Sequence, residues 1–277
     1  MRHLGGYKKA IFWVVFSSVI FLFYHSVDAE IGQWKVVKSS HFFIYYQNAS
    51  PEYISRVAKE AENNYRSITE YLGFNRFDFW TWDNRCKIYL YENQADYQSR
   101  TGVISWSRGN VNVIKKEIST YVWQEEFFEA ILPHEMGHII FREFVGFGKN
   151  VVPLWLDEGV ACSQERNIQE RLRVAKFLVN LNLYIPLEDL SNITKADLIM
   201  PFIFYSEAAS VTDFILQKFG REAFVNFCRN FRYDKKIGWK EALLRTYKLR
   251  NLEELEERDL KRKTETSISN KISAKIE

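Results

Sequence analysis

Residues 132–144, LPHEMGHIIFREF, constrain this chain more than any other stretch. His134, Glu135 and His138 form the pattern H-E-x-x-H, and histidines at i and i+4 lie on one face of a helix about a turn apart. Two neutral imidazoles at that spacing suit a zinc ion, and the carboxylate of Glu135 beside the first can take a proton from an attacking water. Pro133 stands immediately before the ligands. A proline costs about 3 kcal/mol inside a helix but nothing at its first turn, so the helix expected over 124–144 either restarts at Pro133 or kinks there. Histidines satisfied by ordinary hydrogen bonds would give the same pattern, so a third ligand is what would give it meaning.

Residues 153–164, PLWLDEGVACSQ, offer one. Glu158 follows His138 after 19 intervening residues, enough for one helix to end, the chain to turn, and a second helix, expected from residue 154 to 169, to bring a carboxylate back. Three protein ligands with an open fourth position are the arrangement of catalytic zinc, whereas structural zinc closes all four. Cys162, one helical turn beyond Glu158, competes for that fourth position; its alternative role is a small buried core residue. Asp157 is either a carboxylate that orients a ligand or one favoured by the helix N-terminus. His41 is either a further ligand or a strand residue packed by its neighbours.

HEMGH followed by WLDEG resembles the gluzincin metallopeptidases, the group of thermolysin and the aminopeptidase N-like enzymes, and most closely the small peptidase MA-like domains. The resemblance implies one zinc ion per chain held by His134, His138 and Glu158, with Glu135 as general base in peptide-bond hydrolysis. It runs loosely from about residue 34 to about residue 231. Tyr205 is similar in placement to the tyrosine that, in such proteins, donates a hydrogen bond to the developing oxyanion. The chain departs from the aminopeptidase pattern at Gly109-Asn110-Val111-Asn112-Val113, where those enzymes carry G-x-M-E-N with a carboxylate for the substrate's amino terminus. An endopeptidase is therefore the better expectation.

The N-terminus carries Arg2, Lys8 and Lys9, then an apolar run over 10–24 and small residues up to Ala29. This reads as a signal peptide, residues 1–29, and as export to a periplasmic or extracellular space. An uncleaved anchor is the alternative, although 15 apolar residues fall short of the roughly 20 that span a bilayer. Removing 1–29 takes three of the 38 Lys/Arg and one of the 35 Asp/Glu, leaving 35 against 34. A near-neutral chain argues against nucleic acid as a partner; a peptide or protein substrate is expected, and membrane contact only if the N-terminal segment is kept. Cys86, Cys162 and Cys228 allow at most one internal disulfide, so the core must carry the stability.

With 47% hydrophobic residues that core is available. Alternation over 34–46 predicts a strand or strand pair, and Pro51–Leu72 an amphipathic helix stopped by Gly73. The aromatic stretch 74–83 reads as a packed loop or, alternatively, a binding platform. Short strands follow at 87–91 and 111–114, the second in the position of the gluzincin edge strand that pairs with substrate. Helices are expected at 205–219, 222–231 and 239–249, and a solvated charged helix followed by disorder over 251–277. The fold class is α+β, a thermolysin-like zinc peptidase domain over 30–250 with an N-terminal strand-and-helix lobe and a mainly helical C-terminal lobe. A non-catalytic binding module built on the zinc fold and a membrane-anchored assembly factor are the other classes these features allow.

Overall fold

The computed structural model describes residues 34–74, 80, 82–103, 107–122, 126–148, 152–194, 200–232, 235 and 237–273. The expected signal peptide lies outside the described residues. The chain divides at Lys35, and the fold below belongs to the unit Val36–Glu277.

The protein is a mixed α+β structure whose described strands all precede its central helix. Strands β1 (Lys35–Lys38), β2 (Phe42–Tyr46), β3 (Cys86–Tyr91), β4 (Gly109–Asn112) and β5 (Glu117–Tyr121) form one sheet in the order β1-β2-β3-β5-β4. β2, β3 and β5 run parallel, and β4 pairs antiparallel with β5 at the edge. Phe42, Ile44, Cys86, Ile88, Leu90 and Ile118 point to one face and are fully buried, as period-2 alternation on a one-sided sheet requires.

Helix α1 (Pro51–Leu72) covers that face with Ile54, Val57, Ala61, Ile68 and Leu72. Its ends follow from composition. Ser50 Oγ accepts from the Tyr53 N–H, Pro51 opens the first turn, and Gly73 adopts φ 78° to close the last. Phe74 and Trp80 are buried in the core, against Phe144 and Phe42 respectively, while 75–79 and 81 lie outside the described residues.

A short helix α2 (Gln94–Thr101) leads to the β4–β5 hairpin. The strand expected at 111–114 begins two residues earlier and stops at Asn112. Asn112 Oδ1 accepts from the Lys115 N–H and Lys116 takes φ 53°, so 113–116 turn into β5, which the sequence reading did not anticipate.

Pro133 falls in the first turn of its α-helix, in line with the restart alternative. Helix α3 (Leu132–Val145) is entered through a π-turn, Phe127–Ile131, in which the Leu132 N–H bonds the Phe127 carbonyl five residues back. The carbonyl that Pro133 cannot serve, that of Glu129, accepts instead from the Arg166 N–H at 2.8 Å. The wider turn and the outside donor remove both penalties, and the helix continues straight into its two histidines.

Beyond α3 the described elements are helical: α4 (Leu154–Cys162), α5 (Ile168–Asn180), α6 (Leu187–Asn192), α7 (Pro201–Asn230), α8 (Trp239–Tyr247) and α9 (Leu252–Ser273). The helix expected over 154–169 ends at Cys162, and a turn separates it from α5. α7 is interrupted at Gly220, φ 80°, where the sequence reading ended its helix. The three cysteines are free and buried.

The charged tail is also corrected. α9 packs on α5, α6 and α7, burying Leu252, Leu255, Asp259 and Lys263 on one stripe. The Lys263 ammonium lies 3.1 Å from Glu207 Oε2 on α7 and 2.9 Å from Asp259 Oδ2, with all three side chains within 5% of full burial. Composition suggested solvation, but pairing across helices lets these charges go inside.

Lys263→Met should lower stability by about 3–5 kcal/mol, because the Glu207 carboxylate remains buried without its cation while Asp259 keeps only Arg262. Burial already holds the Glu207 carboxyl above its ordinary value of 4.5 against the opposing pull of Lys263. A carboxyl raised in the folded state is no penalty below its unfolded pKa and becomes one as pH rises through its folded pKa. Urea unfolding of the variant should therefore show a deficit that grows from pH 4.5 upward.

Candidate metal centre

α3 approaches α4 across Gly137, and α4 approaches α7 across Gly159. A Cβ at Gly137 would lie 3.0 Å from the Ala161 Cα, and one at Gly159 would lie 2.2 Å from Thr212 Oγ1 and 2.4 Å from the Ala208 carbonyl on α7. The second packing sets the depth of α4 and so of the residue before that glycine, Glu158.

Glu158 Oε2 is 3.5 Å from His134 Nε2 and 3.3 Å from His138 Nε2, and its side chain is 5% exposed. Ligands about 2.0–2.1 Å from a tetrahedral metal lie roughly 3.3–3.4 Å from one another. The two contacts match the edges of such a tetrahedron.

The other nitrogens of both rings are engaged. His134 Nδ1 donates to Glu165 Oε1 at 2.8 Å, and His138 Nδ1 donates to Asp157 Oδ1 at 3.2 Å. A carboxylate can only accept, so each Nδ1 carries a proton, which leaves each Nε2 as the ring atom that faces Glu158. This carboxylate–histidine pattern is the outer support that metal-binding histidines use. His134, His138 and Glu158 could hold a metal ion.

A second grouping, His134, Cys162 and Glu165, has the proximity but not the chemistry. Glu165 is already gripped by Arg171, whose Nε and Nη2 donate to its two oxygens at 2.8 Å each. Cys162 is fully buried, and burial pushes its thiol above its ordinary range.

The electrostatics favour a cation. Burial opposes charge on His138, yet Glu158 and Asp157 outweigh it and lift the imidazole to about 9. For Glu158, burial works upward, and the two histidines hold it well below the usual carboxylate range. In this field a divalent ion would replace protons on the imidazoles.

Glu135 is half-buried between α3 and the edge strand: a Cβ at Gly109 would lie 3.2 Å from its Oε1 and 2.6 Å from Ile131 Cγ2. Only glycine lets β4 come so near Glu135. Tyr205 stands on the other side, its ring centroid 6.5 Å from that of His134 and 5.7 Å from the Arg171 guanidinium. Burial first, then the charge of Glu158, raises the Tyr205 hydroxyl above its ordinary value, so it stays a donor.

Of the five residues singled out from the sequence, His134, His138 and Glu158 converge on one point, Glu135 follows His134 on the same helix, the Tyr205 ring lies edge-on to His134, and Asp157 bonds the His138 ring. His41 does not join them; it pairs with Glu62 at 2.6 Å and stacks on Tyr65. Glu165 and Arg171 were missed. The one cue was a carboxylate seven residues after Glu158, which the turn at 163–167 redirects onto His134.

Glu165→Gln should weaken metal binding by about 10- to 100-fold with little change in fold, since it loosens the ring that carries a ligand nitrogen. Competition with a chromogenic chelator measures this directly; unchanged affinity would leave Glu165 as a purely structural partner of Arg171.

No protein-family model matches the chain, and no curated protein matches it.

Proposed function

We propose that the chain is an exported zinc-dependent endopeptidase of gluzincin type. The observation that carries the reading is the convergence of His134 Nε2, His138 Nε2 and Glu158 Oε2 on one point, with both remaining ring nitrogens tied to carboxylates. Zinc suits this set of two nitrogens and one oxygen with an open fourth position; when bound, it polarises the scissile carbonyl and makes water a usable nucleophile near neutral pH.

The chain's own residues supply the rest. Glu135 takes the proton of the attacking water and delivers it to the leaving amine. The Tyr205 hydroxyl donates to the oxygen on which negative charge develops. Glu165 and Asp157 keep the two rings turned so that their lone pairs stay aimed inward. β4, at the sheet edge beside Glu135, offers main-chain groups to an extended substrate, which gives affinity without demanding a sequence. The lack of a carboxylate over 109–113 supports cutting within chains, and the basic and apolar N-terminus supports export. Among the described residues no helix is long and apolar enough to cross a membrane.

Metal analysis of the purified protein should find one zinc per chain, absent from His134→Ala. Zinc retained by that variant would remove the ligand assignment. A digest of an unbiased peptide library then separates the enzyme from a binding module of the same fold, which would hold zinc and cleave nothing.

A further inference from the structure

We propose that the cleft on the His138 side of the centre is a subsite for a large apolar side chain on the N-terminal side of the scissile bond. This rests on the peptidase reading above and adds to it the class of sequence that is cut.

A cleft of about 680 Å³ opens beside the centre, in the range of sites that enclose small ligands. Val111, Val113, Val152, Leu154, Ile193 and Trp239 line its apolar half, Ser191, Asn192 and Thr194 belong to its polar half, and His138 and Asp157 also line it. The cleft therefore meets the metal centre at one residue, His138. One cation enters its lining, Arg142. Its Nη2 donates to the Gly148 carbonyl at 3.3 Å, and its Nε lies 4.0 Å from Asp157 Oδ2, so its charge is answered by the protein. A charged substrate side chain would lose water against the six apolar residues, and the neutral Ser191, Asn192 and Thr194 offer it no opposite charge. An aliphatic or aromatic one would gain by the same burial.

The side of the scissile bond follows from the direction of β4. Its Gly109 end lies against Glu135, and its Val113 end opens into the cleft. A peptide added antiparallel, the more stable pairing per residue, enters past Val113, reaches the ligands, and leaves past Gly109. The residue one or two positions before the cut then falls into the cleft. Trp239 comes from α8 and Ile193 from the end of α6, so selectivity is set by elements outside the metal-binding helices.

The test is a peptide-library digest combined with binding of fluorescently labelled peptides to Glu135→Gln. Leucine or phenylalanine should exceed aspartate at that position by at least about tenfold in kcat/KM and in affinity. Trp239→Ala should erase the preference for leucine or phenylalanine over aspartate at that position. Trp239 packs edge-on against Trp155 at 5.9 Å, so Val113→Asp on the β4 turn serves where Trp239→Ala does not fold. Cleavage without an apolar preference, or with one only on the C-terminal side, overturns the subsite and leaves the peptidase standing. If nothing is cleaved, the peptidase reading fails and binding decides the cleft: equal affinity for leucine and aspartate peptides overturns it, and a tenfold difference lost in either variant supports it.

Discussion

Glu135→Gln should lower kcat/KM by about 10²- to 10⁴-fold and leave the zinc content unchanged. The substitution keeps the shape and the hydrogen-bonding reach of the side chain but removes its ability to accept a proton from water at neutral pH. Glu135 is outside the converging set of His134, His138 and Glu158, so the ion has no reason to leave. It is also only half-buried, against Gly109 and Ile131, so an isosteric amide should fit with little loss of stability. The fall corresponds to about 3–5 kcal/mol in the activation barrier. Three measurements on one preparation suffice: zinc stoichiometry, melting temperature and kcat/KM on a peptide that the wild type cleaves. Turnover retained within a factor of two, with zinc in place, would remove Glu135 as the base; zinc lost along with activity would make it a ligand.

The centre was legible in the sequence to the extent that its groups lie at helical spacing or within a short motif at a telling distance. His134 and His138 share a face by periodicity alone, and Glu158 was reached by its 19-residue spacing from His138 and its place in WLDEG. The α1 helix was legible because its apolar period, Pro51 in the first turn and the Gly73 stop agree with one another.

Glu165 was not legible, because its approach to His134 depends on a turn after Cys162 that no proline or glycine announces. The π-turn before Pro133 was hidden for the same kind of reason: the partner of the Glu129 carbonyl, the Arg166 N–H, lies 37 residues away. α9 misled by composition. Asp259 and Lys263 belong on a solvated face until Glu207, more than fifty residues earlier in the chain, is brought against them. Local pattern reports which side chains share a face; it does not report what a distant element brings to that face.

Gly159→Ala should be among the most damaging single substitutions of a small side chain, with zinc binding lost together with stability. The added methyl would lie 2.2 Å from Thr212 Oγ1 and 2.4 Å from the Ala208 carbonyl oxygen, and contacts under 3.0 Å are ones that real Cβ atoms essentially never make. Thr212 could turn its hydroxyl away, but the carbonyl belongs to the α7 backbone and cannot rotate without breaking a helical hydrogen bond. The helices must therefore move apart. Overpacking of a well-filled core costs about 1–3 kcal/mol, and here the obstacle is backbone, so about 3 kcal/mol or more is expected. The displacement acts on the residue before the glycine. Glu158 meets His134 and His138 at 3.5 and 3.3 Å, and a shift of α4 by half an ångström or more takes its oxygen out of a tetrahedron with roughly 2 Å metal bonds. Thermal unfolding with and without zinc separates the two effects. The wild type should gain stability on zinc addition as mass action requires, whereas Gly159→Ala should start lower and gain little. Gly137→Ala is the internal comparison, since its Cβ would meet the Ala161 Cα at 3.0 Å and the Gln164 Cγ at 3.1 Å, contacts that ask for a shift of a few tenths of an ångström. A Gly159→Ala protein that melts within a degree or two of the wild type and keeps its zinc would show that α7 does not set the depth of α4.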